Sequence, residues 1–139
     1  MTVITTASAR NVAFVRTLGA DEVIDYATTS FEEVVHDVDV VFDTVGGDTL
    51  ARSWQVVKPG GALVSVVSPL SGQPLRDDIR YVYFIVEPSG AQLREIGALI
   101  DAGQVRPVVD QVFPLAQARQ AYEAAATGHP RGKIVITVG

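Results

Sequence analysis

The feature that most limits what this chain can fold into is an alternation, kept from end to end, of short β-branched runs and stretches with helical spacing. Val38 to Asp43 (VDVVFD) is an apolar run of the length of a buried parallel strand. Val3 to Thr6, Glu22 to Tyr26, Ala62 to Val67, Arg80 to Val86 and Lys133 to Val138 read as further strands, and Val105 to Phe113 as extended. Between them, Phe14 and Leu18 fall one turn apart behind Ser8, whose hydroxyl is placed to cap a helix that Gly19 ends in the left-handed conformation. A short helix is expected around Phe31 to His36. Leu50, Trp54 and Val57 recur at i, i+4 and i+7, which predicts a helix over 48–57 stopped by Lys58-Pro59-Gly60-Gly61. Ser68 to Asp78 is Pro-, Gly- and Ser-rich and reads as a loop. Leu93, Ile96, Gly97 and Ile100 share one face of a helix closed by Gly103, and Leu115 to Thr127 forms another. Strands separated in this way by helices specify an α/β fold, a parallel sheet with helices on both faces. At 139 residues the chain suits one compact domain, 1–139.

Composition removes several function classes. Sixteen acidic against eleven basic residues, for a formal net charge of −5, leave no basic footprint for nucleic acid. No apolar run approaches the roughly 20 residues that span a bilayer, and the first residues lack a signal peptide's pattern, so a cytoplasmic location is expected. The sequence holds no cysteine, and its two histidines, His36 and His129, stand far apart, so no zinc site is expected.

Ligands of open α/β sheets bind outside the carboxyl ends of the strands, and four such ends stand out. The first is Thr5-Thr6-Ala7-Ser8-Ala9-Arg10. An NAD site usually places an acid at the end of the second strand to bond the ribose, whereas an NADP site removes that charge and supplies a cation for the 2′-phosphate. No acid stands here, while Ser8 and Arg10 do, a pairing that favours NADP(H). On the residues alone, a capping Ser8 and a solvated Arg10 remain the simpler account. The second end, Asp43-Thr44-Val45-Gly46-Gly47, has glycines that let backbone pass close to a ribose, but Gly-Gly also makes an ordinary turn. The third, Lys58-Pro59-Gly60-Gly61, is structural and occurs at the corresponding place in methyltransferases. The fourth, Phe84 to Pro88, reads more simply as an edge strand. Tyr26, Tyr81, Tyr83 and Tyr122 could in principle move protons, yet three read as packing residues and none has a lysine at a useful spacing. A carboxylate at Asp43 more often caps a turn than abstracts a proton. No catalytic residue declares itself.

In their order and spacing, VITTAS (3–8), LGADEVIDY (18–26), DVVFDTVGG (39–47), VVKPGGALVSV (56–66) and RGKIVITV (131–138) resemble the medium-chain dehydrogenase/reductase superfamily, in its zinc-independent quinone oxidoreductase-like branch. The resemblance implies a partial Rossmann fold, a doubly wound parallel sheet that lacks its first, central strand and glycine-rich loop, both upstream in the family with a substrate-facing domain. It also implies NADPH-dependent hydride transfer to a quinone or an α,β-unsaturated carbonyl. Carried over by position, Ser8 and Arg10 match residues holding the 2′-phosphate, and Tyr26 one lying against the adenosine. Thr44, Val45 and Gly46 match the loop along the nicotinamide ribose. Val67, Ser68, Phe84, Ile85 and Val86 match segments meeting the nicotinamide, and Lys133 a position near the pyrophosphate.

With strand order 3-2-1-4-5-6, the absent strand is central, and two strands of this chain flank a gap. Unpaired backbone there costs about 1–3 kcal/mol per buried group, so another chain is expected to fill it, the flanking strands to close up, or the N-terminal segment to be displaced. The Arg80–Val86 strand resembles the family's dimerisation edge, which implies a homodimer. Three readings stay open: a cofactor-domain segment of a reductase, inactive by itself; a non-catalytic nucleotide-binding or oligomerisation module; and a methyltransferase-like domain, disfavoured because no acid ends the first strand.

Overall fold

The computed structural model describes residues 1–69, 76–128 and 130–139, so the central part of the expected 68–78 loop and His129 lie outside the described residues. Two compact units divide the chain, Met1–Glu87 and Pro88–Gly139.

The first unit begins with β1 (Ile4–Ala7), a 3-10 turn (Ala9–Asn11), α1 (Val12–Thr17), β2 (Glu22–Asp25) and α2 (Phe31–Val34). It continues through β3 (Val38–Asp43), α3 (Gly47–Ser53), β4 (Val57–Ser65) and β5 (Arg80–Tyr83). Every strand pair is parallel, as expected of an α/β sheet. The strands form two sets, β1-β2 and β3-β4-β5. The core lies where α3 covers the larger set: Leu50, Trp54, Val57, Leu63 and Ile79 are buried together, with Tyr81 packed against them. A second cluster, Ile24, Val35 and Val56, takes in Phe31, Val38 and Val41 and so joins β2, α2 and β3.

Backbone direction shows what happens at the expected gap. The carbonyls of Val3 and Ala7 accept hydrogen bonds from the β2 side, at Asp21, Glu22 and Tyr26. By the alternation of a strand, Ile4 and Thr6 turn their N–H and C=O the other way. In β3 the Asp43 carbonyl accepts from Val66, next to β4, which leaves Val40 and Phe42 facing outward. The flanking strands have not closed up, and the N-terminal segment still pairs with β2. Instead β1 and β3 line a shared trough of about 240 Å³.

Two elements differ from the sequence expectation. The helix predicted over 48–57 ends at Ser53, and Lys58 to Gly61 do not stop a helix but lie inside β4. They are held there by a Lys58–Asp39 ion pair, a hydrogen bond of 2.6 Å from the Gly60 amide to the Asp78 carbonyl, and a register shift that bulges β4 against β3. Val57 does reach the core, but as the first residue of a strand. The strand expected over Arg80 to Val86 ends at Tyr83, so residues 84–86 leave the sheet.

In the second unit, Ser89 caps α4 (Gly90–Asp101) by accepting from the Gln92 amide. Then follow β6 (Val109–Pro114), a 3-10 turn (Leu115–Gln117), α5 (Ala118–Ala126) and β7 (Lys133–Thr137), which pairs parallel with β6. Gly103 takes φ +70° just beyond α4, as a left-handed helix stop requires.

Candidate functional site

The parallel register sets three strand ends abreast: Asp43 of β3 pairs with Ser65 of β4, and Ser65 with Tyr83 of β5. Thr44 to Gly46, Val66 to Ser68 and Phe84 to Val86 therefore leave the sheet side by side at its carboxyl edge. Three of the sequence candidates there are more exposed than their chemistry favours, with Val45 at 63%, Ile85 at 74% and Val86 at 70%. Val67 and Phe84 are exposed as well. An apolar rim at strand ends has the character of a surface that a flat ring could cover.

Beneath the rim sits a buried polar pair. Asp43 Oδ1 accepts from the amides of Val45 (3.1 Å) and Gly46 (2.9 Å), and its Oδ2 accepts from the Ser65 hydroxyl at 2.7 Å. The turn-capping role read for Asp43 is thus the observed one. Ser65 Oγ in turn accepts from the Val67 amide at 3.3 Å. Sequence reasoning passed over Ser65; its signal was a hydroxyl in an apolar strand one register step from an acid.

The β1 and β2 ends form the other half of the candidate site. Ala7 pairs with Asp25, and the Tyr26 amide donates to the Ala7 carbonyl at 3.2 Å, which brings Tyr26 beside the start of the Ser8–Arg10 segment. Tyr26 and Arg10 are exposed and Ser8 half-buried. Ser8 does stand at an N-cap position, but contrary to expectation its hydroxyl makes no cap hydrogen bond; its carbonyl accepts from Asn11 instead, closing the 3-10 turn. β1 ends without an acid, and the nearest one, Asp25, turns its Oδ1 to the Ala27 amide. Thr5 and Thr6 on one side and Asp43, Thr44 and Val45 on the other line the same trough, so both halves open on one cavity. Lys133 opens β7 in the second unit, where its amide donates to the Val108 carbonyl.

Carboxylates with shifted acidity are partners of cations, exposed at Asp39 and Asp78 and part-buried at Glu32. Glu32 is lowered by a backbone hydrogen bond and by Arg52, Asp39 by Lys58, and Asp78 by Arg76. Among the tyrosines, Tyr81 packs on Trp54 and donates to the Ser68 carbonyl at 3.1 Å, while Tyr122 is exposed.

A family model described as zinc-binding dehydrogenase matches residues 18–136. The chain belongs to this family, within the medium-chain dehydrogenase/reductases and their quinone oxidoreductase-like branch. It is 35% identical, over 98% of its length and 44% of the relative's, to a probable zinc-binding oxidoreductase, mitochondrial, of Arthroderma benhamiae. It is 33% identical to the NADPH-dependent alkenal/one oxidoreductase, chloroplastic, of Arabidopsis thaliana, over 94% of this chain and 32% of that one. The solved quinone oxidoreductase of Coxiella burnetii superposes with a TM-score of 0.82 at 33% identity, covering 99% of this chain and 45% of that chain. The chain spans less than half the length of these relatives. The family's zinc does not fit the residues present: the sequence has no cysteine, and the described residues hold no group of three or more His, Asp or Glu able to grip a metal. Family membership and the absence of an acid at the end of β1 also set aside the methyltransferase reading. The class these findings define is a family of dehydrogenases and oxidoreductases, among whose members relatives of this chain are named as NAD(P)H oxidoreductases.

Proposed function

We propose that the chain is the cofactor-binding part of an NADPH-dependent oxidoreductase that reduces a quinone or an α,β-unsaturated carbonyl, and that it does not turn over by itself. The observation that carries this reading is the alignment of three strand ends, Asp43, Ser65 and Tyr83, beneath an exposed apolar rim. On this account Thr44 to Gly46 follow the nicotinamide ribose, while Val67, Ser68 and Phe84 to Val86 meet the ring. Ser8 and Arg10 hold the 2′-phosphate, with Tyr26 against the adenosine. When bound, the cofactor supplies hydride; the chain orients the ring and shields one of its faces. The test is titration of the purified chain with NADPH and NADH, read by energy transfer from Trp54 and the tyrosines. Saturable binding that prefers NADPH is expected; equal affinity for both would overturn the assignment of Ser8 and Arg10, and no binding of either would overturn the cofactor role.

A second reading, an oligomerisation module, is favoured by the place of β5 as the last strand of its three-stranded set, followed by exposed Ile85 and Val86. A homodimer through residues 80–86 is compatible with cofactor binding. Sedimentation at twice the monomer mass is expected; a monomer at high micromolar concentration would dismiss it.

A further inference from the structure

We infer that Asp43 and Ser65 act together as a positioning pair that locks the two backbone segments meant for the nicotinamide half of the cofactor into one rigid unit; the inference rests on the cofactor reading given above. Asp43 is 4% exposed and Ser65 fully buried, so the pair acts chiefly through the backbone that its hydrogen bonds hold. Their hydrogen bonds run outward to the rim. One carboxylate oxygen collects the amides of Val45 and Gly46, and the other reaches, through the Ser65 hydroxyl, to the amide of Val67. Two loops separated by some twenty residues are thereby tied to a single carboxylate.

The backbone shows how closely the loops are held. A Cβ placed on Gly46 lies 2.9 Å from Val67 Cγ1 and 3.3 Å from Ser68 Oγ, so the first loop passes against the second with room for hydrogen only. The third segment joins the same frame, since the Phe84 amide donates to the Ser65 carbonyl. Charged acceptors make stronger bonds to amides than neutral ones, and a site fixed before its ligand arrives loses less entropy on binding. A buried carboxylate with three donors is suited to such positioning, because it holds Val67 and Gly46 where a carboxamide and a ribose can meet ordered backbone.

The pair acts on one end of the cofactor and not on the other, and that difference can be measured. Titrations of wild type, Asp43→Ala, Asp43→Asn and Ser65→Ala with NADPH and with 2′,5′-ADP, which lacks the nicotinamide half, compare positioning with general damage. Asp43→Ala is expected to weaken NADPH binding about tenfold or more while leaving 2′,5′-ADP within about twofold. Asp43→Asn, which keeps an oxygen for Val45 and Gly46, should recover most of the loss. If Asp43→Ala does not fold, Ser65→Ala decides: faster exchange of the Val67 amide together with weakened NADPH and unchanged 2′,5′-ADP binding is expected. Equal loss of both ligands, or NADPH affinity unchanged in a folded variant, would overturn the inference alone. Wild-type protein that binds neither ligand would overturn the cofactor reading, and the inference with it.

Discussion

Gly46 shows how much rests on one residue at the strand-end site. It holds φ +77°, is buried, and its missing Cβ is what lets Val67 approach. Gly46→Ala is expected to lower stability by about 1–3 kcal/mol, because backbone strain and overpacking act together. Urea denaturation checks this, and a wild-type midpoint would contradict it. Arg10 carries the other residue-scale prediction. A charged hydrogen bond to phosphate contributes about 1.5–3 kcal/mol, so Arg10→Ala should cost NADPH roughly 10- to 150-fold in affinity while leaving NADH nearly unchanged. Parallel loss of both coenzymes would show that Arg10 does not read the 2′-phosphate. The candidates at strand ends were legible because chemistry and position coincide there: a hydroxyl and a cation without an acid at 6–10, glycines after Asp43. Ser65 was not, because its significance lies in a register partner 22 residues away.

At the scale of elements, α2 and α3 are fastened by Arg52. Its guanidinium reaches both Glu32 carboxylate oxygens at 3.0 Å and lies 5.1 Å from the Phe31 ring centroid. Arg52 is 39% and Glu32 16% exposed in their side chains, so solvent screens the pair in part. Arg52→Ala should destabilise by about 1 kcal/mol, with the aromatic contact adding to the ion pair. The Glu32 carboxyl is held below its ordinary 4.5, by its backbone hydrogen bond first and Arg52 second. A depressed folded-state value means that its stabilising contribution is complete above 4.5 and is lost as pH falls through the lower folded value. The difference between thermal melts of wild type and Arg52→Ala should therefore narrow on acidification below that point, down to the share held by the Phe31 contact; a constant difference would separate the stability from the ion pair. The strand edges make a further prediction. Amides of Val40 and Phe42 should exchange faster than those of Val41 and Asp43, and equal protection would mean that β1 and β3 are bridged.

Element type was readable from periodicity, as Val38–Asp43 shows, where the expected and observed strands coincide. Lys58 to Gly61 were misread because Pro and Gly are stop signals by local chemistry, while their place in β4 depends on Asp39 and Asp78, contacts far off in sequence. Tertiary partners decided that segment, and a single sequence does not display them.

For the molecule as a whole, the family and the parallel α/β class were legible together; within the first unit β1 pairs with β2, β3 with β4 and β4 with β5, and β1 and β3 line one trough. What the register added is the alignment of three carboxyl ends, which turns scattered candidates into a surface. The central claim is that this surface receives the nicotinamide half of NADPH. Its most direct test is amide chemical-shift mapping of the labelled chain titrated with NADPH. The account predicts saturable shifts concentrated at Val45, Gly46, Val67, Phe84 and Ile85, with a second group at Ser8 to Arg10 and Tyr26. Saturable shifts that avoid the 44–46, 66–68 and 84–86 segments, or no shifts at all, would contradict it.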